Sequence, residues 1–516
     1  MSRYFLTTAI DYANGDPHIG HAYEKIGADA IARYRRLRGD DVHFLVGMDE
    51  HGQKVAQTAA AEGVEPQALV DDLARRFSGM WDRLGISYDQ FIRTTDAMHT
   101  AGVQSLIERI FERNPDDFYE KAYEGWYCVG CESFKQDAEI VDGKCVLHPT
   151  RTLEWVEERN WFFRLSRHAE MLTRRLTEHA EFLQPESRRN EMLALLERGL
   201  DDVSASRSRL EWGIPFPRPL STGESQRTYV WFDALPNYLT ATGFPGESGR
   251  ARWPAQLHVV GKDITRFHSV IWPAMLASAE LPLPERVWGH GWVLYGGERF
   301  SKSAGARLDV DEAIAKYGPD ALRYFLLREV PFDADGTFSW ERFDDRYNAD
   351  LANAWGNLAS RVLAMVEKYR DGIVPAAVPN ADEDREDTRD VAAYHDVMDG
   401  TRGFLLHEAL QRAMACVIRG NEYVQVMQPW AIAKRDDEDG RRALDHVLAS
   451  LVRQLARHAV LLAPFMPGKA QALWAQLGAP GTVADQRFDA LWSIDATGWR
   501  VTKGEGLFPK EKPVGQ

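Results

Sequence analysis

The opening of the chain alternates short β-rich runs with helical patterns, and this alternation constrains the fold more than any other feature. Tyr4 to Ile10 reads as a strand, an amphipathic stretch runs to Leu37, and Val42 to Val46 reads as the next strand. Strand, helix, strand in that order predicts parallel βαβ units. Between about Asn114 and Pro219 the pattern gives way to a Cys/His cluster and a charged helical stretch. Strand-like pieces return after Tyr229, as in Leu257 to Val260 and Trp292 to Tyr295. The middle therefore reads as an insertion that splits one α/β unit. After Trp340 strand signals nearly vanish and apolar residues recur at spacings of three and four, which predicts an all-α bundle. Val374 to Asp387, rich in Pro, Ala and acid, reads as an exposed loop within it.

A chain of 516 residues is too long for one core, so two to four packed units are expected. No apolar run approaches the roughly 20 residues that a membrane span needs, and the first residues lack the basic-then-apolar layout of a secretory signal. A protein of the cytoplasm with no membrane contact is the expectation. With 62 Lys+Arg against 77 Asp+Glu the net charge is -15, so any nucleic-acid contact must come from local basic patches. Candidates are Arg346, Arg361, Arg402, Arg412 and Arg419.

The sharpest local signal is Asp16-Pro17-His18-Ile19-Gly20-His21, after a strand and at the start of a helix. Ile19, Ala22, Tyr23, Ile26, Ala30, Tyr34 and Leu37 mark one apolar face of that helix. His18 and His21 then fall in its first turn, where free N–H groups and the helix dipole attract phosphate. Gly20, without a side chain, would let a flat base approach the backbone. Taken alone, two such histidines also serve as plain caps or surface residues. A second signal is Arg299-Phe300-Ser301-Lys302-Ser303, flanked by Gly296, Gly297 and Gly305. Such a loop can fold onto phosphate and bring the Lys302 ammonium to where charge develops. Neither G-x-x-x-x-G-K-[ST] nor a G-x-G-x-x-G after the first strand occurs. The phosphate site is of another type.

Four cysteines cannot frame a chain of this length with disulfides, and three lie close together. Cys128-x2-Cys131-x13-Cys145-x2-His148 presents two close pairs around a short excursion, the spacing of a tetrahedral zinc site. Three thiolates and one imidazole leave no position open for water, so the expected single Zn(II) per chain is structural. Cys416, inside Ala413-Met414-Ala415-Cys416-Val417, reads as helix core.

His18 to His21 and Arg299 to Ser303, in that order on a split α/β unit, resemble the two signature motifs of class I aminoacyl-tRNA synthetases. Ala9 to Gly15, Gly47 to Gly52, Tyr229 to Leu235 and Gly261 to Ile264 resemble the methionyl-tRNA synthetase family in particular. Asn357 to Arg361 and Gln428 to Trp430 resemble that family's anticodon-reading helices, so the likeness spans nearly the whole chain. It implies a Rossmann-like catalytic domain in two halves, 1–113 and 220–295, separated by a zinc-knuckle connective insertion at 114–219. A mobile-loop and stem-contact region at 296–345 and an α-helical anticodon-binding domain at 346–516 complete the expected order. His148 stands where relatives have a fourth cysteine.

The resemblance implies a methionine–tRNA ligase that uses L-methionine, ATP with Mg(II), and tRNA(Met), for translation initiation and elongation. His18, His21, Lys302 and Arg207 would carry catalysis, with Gly20, Gly261, Asp263, Arg299 and Ser301 also on ATP. Ala9, Ile10, Tyr12, Trp231, Ala234, Leu235, Tyr238, Ile264 and His268 would line the methionine pocket. Asp49 would hold the ammonium. Aromatic walls suit a polarizable thioether that offers little to strong hydrogen bonds. Leu235 replaces a proline of some relatives, and Arg299 and Phe300 replace the first two residues of the usual loop motif. Asn357, Arg361 and Trp430 would read single-stranded anticodon bases by stacking and edge contacts. A monomer is expected, because no dimerising module follows Leu507-Phe508-Pro509. Rival readings are another class I synthetase, a nucleotidylyltransferase with similar short motifs, and a non-enzymatic RNA-binding module.

Overall fold

In the computed structural model the described residues are 2–129, 133–135, 139–146, 148–246, 251–295, 298–299 and 310–509. Seven strands form the central sheet: β1 (Arg3–Thr8), β2 (Asp11–Tyr12), β3 (Asp41–Asp49), β4 (Gln90–Arg93), β7 (Leu183–Gln184), β8 (Leu257–Gly261) and β9 (Val287–His290). Their order is β7-β9-β8-β1-β3-β2, with β4 also beside β3. Every pairing is parallel. The chain moves from β1 outward to β3 and later returns to the other side of β1 as β8. Such a switch of direction opens a crevice beyond the carboxyl ends of the strands.

Alternation along β1 explains how the sheet is covered on both faces. Tyr4 and Leu6 join one buried cluster with helix α1 (Ile19–Leu37), while Phe5 joins a second on the opposite face. The first cluster continues without a break into the helix bundle, through residues such as Val447, Leu451 and Leu455. The bundle comprises α3 (Asn357–Arg370), α4 (Arg385–Met398), α5 (Leu406–Met427) and α6 (Glu438–Leu462). Before them, the short helix α2 (Val230–Ala234) follows the insertion.

Within the insertion, β5 (Phe118–Cys128) and β6 (Glu154–Phe163) form a long antiparallel ladder from Phe118↔Phe163 to Tyr127↔Glu154. Leu183–Gln184, inside the same stretch of sequence, returns to the central sheet as β7. The expected exposed loop after Val374 is present, with Val378 84% exposed, and it is pinned at both ends. Val374 is buried and its N–H donates to Trp499 O, while Asp387 is buried in α4 against Arg419. Among the described residues no helix is long and apolar enough to cross a membrane.

Helix α1 departs from the simple amphipathic pattern. All seven residues of its expected apolar face are buried, but so are Glu24, Lys25 and Asp29, and 14 of its 19 residues are buried in total. The helix lies between the sheet and the bundle, so little of its circumference meets water. Ionic partners satisfy the charges: Asp29 pairs with the wholly buried Arg323, whose Nε and Nη2 donate to Phe465 O and Pro464 O at the end of α6.

Candidate active site

The crevice at the carboxyl ends of the strands collects most of the expected site residues. Ala9 and Ile10 follow β1, Tyr12 ends β2, Asp49 ends β3, Gly261 ends β8, and α1 starts beside them. His18 is the N-cap of α1, and its Nδ1 accepts from the Gly20 N–H at 3.1 Å. His21 Nδ1 accepts from the His18 N–H at 3.3 Å, which completes a reciprocal cap. With both Nδ1 atoms accepting, a neutral ring at either position carries its proton on Nε2. The rings stack with centroids 3.7 Å apart and 22° between planes. Capping and phosphate binding are thus compatible roles for the same two side chains. A Cβ on Gly20 would lie 3.0 Å from His18 Cε1, so the glycine makes room for that imidazole.

On the other side of the crevice, Tyr238 and His268 are almost wholly buried, each 1% exposed. Tyr238 O–H donates to His268 Nε2 at 2.7 Å, and His268 Nδ1–H donates to Ile264 O at 3.0 Å. Burial pushes His268 down to about 4, so the ring is neutral near pH 7. Trp231 stacks on Phe267 with centroids 3.6 Å apart and 11° between planes. Ala234 and Leu235 are buried in α2 and just after it. Asp49 is buried at the end of β3. Aromatic rings and a buried carboxylate thus lie among the residues expected on the methionine side.

Gly261 and Asp263 are the residues expected on the nucleotide side. A Cβ on Gly261 would fall 2.7 Å from Asp263 Oδ1, so only glycine admits that carboxylate position. Asp263 itself is exposed. Arg207 is buried in a short pairing with Arg227; its guanidinium lies 4.2 Å from the Tyr229 ring centroid and its Nη1 donates to Ser206 O. Arg299 is described in its backbone, which pairs with Leu294. Ser301 and Lys302 lie outside the described residues.

Of the expected metal ligands, Cys128 and Cys145 are buried in one small cluster with Leu153. Cys145 faces His148 across an antiparallel pairing. Cys131 lies outside the described residues, as does the His148 side chain. Among the described residues no group of three His, Cys, Asp or Glu could hold a metal. In the bundle, Asn357 and Arg361 are one turn apart on α3, and the Arg361 guanidinium lies 5.9 Å from the Trp430 ring centroid. The other arginine candidates are engaged by acids: Arg346 with Glu329, Arg402 with Glu408, Arg412 with Asp390, and Arg419 with Asp387 and Asp390.

Sequence reasoning missed the buried ionic groups beneath the crevice. His51 Nδ1 is 2.8 Å from Asp233 Oδ2, and Asp233 also meets His99. Burial opposes charge on His51, but the Asp233 carboxylate outweighs it and raises its pKa. This bond fastens the turn after Asp49 to α2, which bears Trp231. Glu24, Lys25, Asp11 and His290 form a second network. Adjacent Glu24 and Lys25 in the middle of a helix otherwise expected to bury its apolar face were the available signal.

Family models agree with this layout. A model described as tRNA synthetases class I (M) matches residues 4–152 and 138–363, and one described as the anticodon binding domain of methionyl tRNA ligase matches 375–512. A methionine–tRNA ligase of Caldanaerobacter subterraneus subsp. tengcongensis is 43% identical, covering 98% of this chain and 78% of its own length. That of Streptomyces coelicolor is 41% identical, covering 99% of this chain and 97% of its own. A solved Mycobacterium tuberculosis methionyl-tRNA synthetase in complex with methionyl-adenylate matches with TM-score 0.91 at 40% identity, over 99% of this chain and 100% of that one.

Proposed function

Because the chain belongs to the class I methionyl-tRNA synthetases, we infer that it is a methionine–tRNA ligase and that its chemistry takes place in the crevice at the carboxyl ends of the strands. In the first step a carboxylate oxygen of L-methionine attacks the α-phosphorus of ATP. The bond to the β-phosphate oxygen breaks, pyrophosphate leaves and methionyl-adenylate forms. In the second step a hydroxyl of the terminal ribose of tRNA(Met) attacks the methionyl carbonyl and AMP leaves. No protein nucleophile is required, so catalysis consists of alignment and charge stabilisation.

Two observations support this assignment: a histidine-capped helix start follows the carboxyl ends of β1 and β2, and Tyr238 and His268 form a buried, hydrogen-bonded pair. His18 and His21 would donate from Nε2 to the phosphates, aided by the α1 dipole. Lys302 and Arg207 would add positive charge, with Gly20, Arg299 and Ser301 shaping the same phosphate site. Gly261 would allow close approach of adenosine, and Asp263 would accept from a ribose hydroxyl. Ala9, Ile10, Tyr12, Trp231, Ala234, Leu235, Tyr238, Ile264 and His268 would enclose the methionine side chain, and Asp49 would bind its ammonium. Mg(II), arriving with ATP, would spread the phosphate charge. Asn357, Arg361 and Trp430 would meet anticodon bases, the cation-on-ring geometry being suited to stacking.

Cys128, Cys131, Cys145 and His148 would hold one structural Zn(II). Burial of the two described thiols in a single cluster and the facing of Cys145 and His148 support that reading. Purified protein should contain one zinc per chain and Cys128→Ser should lose it; metal-free wild-type protein with a full melting transition would count against it.

The functional reading is tested by amino-acid-dependent exchange of pyrophosphate into ATP. Methionine should drive exchange far better than leucine, isoleucine, valine or cysteine. Exchange driven equally by any of those would contradict it.

A further inference from the structure

Lys25 has no exposed surface, and its ammonium donates to three acceptors: Ala9 O at 2.8 Å, Asp11 Oδ1 at 2.9 Å and Glu24 Oε1 at 2.8 Å. A lysine has three N–H bonds to give, so all are used within the protein. Burial opposes the charge, but the two carboxylates outweigh it and raise the pKa of Lys25.

These acceptors belong to different parts of the crevice. Ala9 and Asp11 lie on the segment between β1 and the end of β2, which also carries Ile10 and Tyr12. Glu24 lies on α1, and its other oxygen accepts from His290 Nε2 at 3.1 Å. His290 ends β9, and its Nε2 is 4.0 Å from where a Cβ of Gly261 would stand, beside the Asp263 carboxylate. One buried cation thus joins the backbone of the methionine wall to the floor under the nucleotide side. Asp11 is 4% exposed, its Oδ2 has no hydrogen-bond partner among the described residues, and burial pushes its carboxyl up to about 7 against the pull of Lys25, whose 2.9 Å contact is what favours the charged form. A buried charge left without its counter-ion is costly, so neither wall can shift without loss of the shared contacts.

We propose that Lys25 is a positioning residue that ties the methionine half-site, through Ala9 and Asp11, to the nucleotide half-site, through Glu24 and His290. The proposal rests on the functional reading above. Lys25 acts through these partners and need not touch either substrate.

The test is steady-state pyrophosphate exchange by the full chain, with thermal unfolding recorded in parallel. Lys25→Met, close in shape and uncharged, should raise KM for methionine and for ATP together, each by about tenfold, the order expected for loss of a charged hydrogen bond. Asp11→Asn keeps the side-chain shape and the Glu24 contact of Lys25. It should raise KM for methionine several-fold while KM for ATP stays within about twofold of wild type. A lowered melting temperature with both constants at wild-type values in these variants would reduce Lys25 to a structural charge and overturn the proposal. Should Lys25→Met fail to fold, the split between the two constants in Asp11→Asn decides alone. Wild-type protein without methionine-dependent exchange would overturn the functional reading itself, an outcome distinct from an active wild type whose variants show unchanged constants.

Discussion

The residues proposed to hold methionine are buried or half-buried in the α/β layer, whereas those proposed to read the anticodon are exposed or half-exposed on the bundle. Tyr238 and His268 are each 1% exposed, while Trp430 is 38% exposed and Asn357 is exposed as well. Charge follows the same division. Beneath the crevice, Asp11, Glu24, Lys25, Glu50, His51 and Asp233 are buried in short bonds to one another or to neighbours such as Arg93. On the bundle, most basic residues expected at its surface are neutralised by neighbouring acids, and Arg361 leans on Trp430. A small zwitterion can be surrounded and desolvated, so its site can be a rigid interior. A macromolecule must be met from outside, so its site can only be a face.

Variants in the two regions should therefore separate the two half-reactions. The largest effect is expected from His21→Ala, which removes both a cap acceptor and a proposed phosphate donor. Pyrophosphate exchange should fall by about 100-fold or more, and aminoacylation with it. Retention of wild-type exchange would detach the histidine stack from catalysis. Next, Trp430→Ala should lower kcat/KM for tRNA by about 10- to 100-fold, the range for loss of one base stack, and leave methionine-dependent exchange as in wild type. Equal losses in both assays would erase the distinction between the regions.

A smaller effect is expected from Tyr238→Phe. It leaves His268 Nε2 without its donor inside an apolar wall, at a cost of about 1–3 kcal/mol. Thermal unfolding should show the loss, and KM for methionine should rise more than KM for ATP. An unchanged melting temperature would mean that the Tyr238–His268 bond adds nothing.

The smallest effect concerns the seam between the two regions, where Tyr34 of α1 and His395 of α4 meet at 3.0 Å. Burial pushes His395 down to about 4 from 6.5, so between those values the unfolded chain binds more protons than the folded one. Stability from this group is present above pH 6.5 and is lost as pH falls toward 4. His395→Gln should flatten the decline in melting temperature across that window. An identical decline in the variant would assign the pH dependence to other groups.

The two regions also differed in how much the sequence disclosed. The histidine pair could be located from six consecutive residues, because a cap is a local device that depends on residues three apart. Trp430 and Arg361 were found only through resemblance, since neither carries a pattern of its own; their proximity appears once α3 and the residues after α5 are packed. The buried charges were concealed for a different reason. In a hydropathy pattern Glu24, Lys25 and Asp29 mark the wet face of a helix, and their partners Asp11, His290 and Arg323 are strands or domains away. Only tertiary packing shows that α1 has almost no wet face. The strand order was likewise hidden, because the two-residue strand β7 comes from within the stretch read as an insertion.

The most direct test of the account is a crystal structure of the protein with a non-hydrolysable methionyl-adenylate analogue. The account predicts its phosphate group against the first turn of α1, within hydrogen-bond reach of His18 or His21, its methionine side chain against Trp231, Tyr238 and His268, and its ribose beside Asp263. An analogue bound elsewhere, or with its phosphate remote from both imidazole rings, would contradict it.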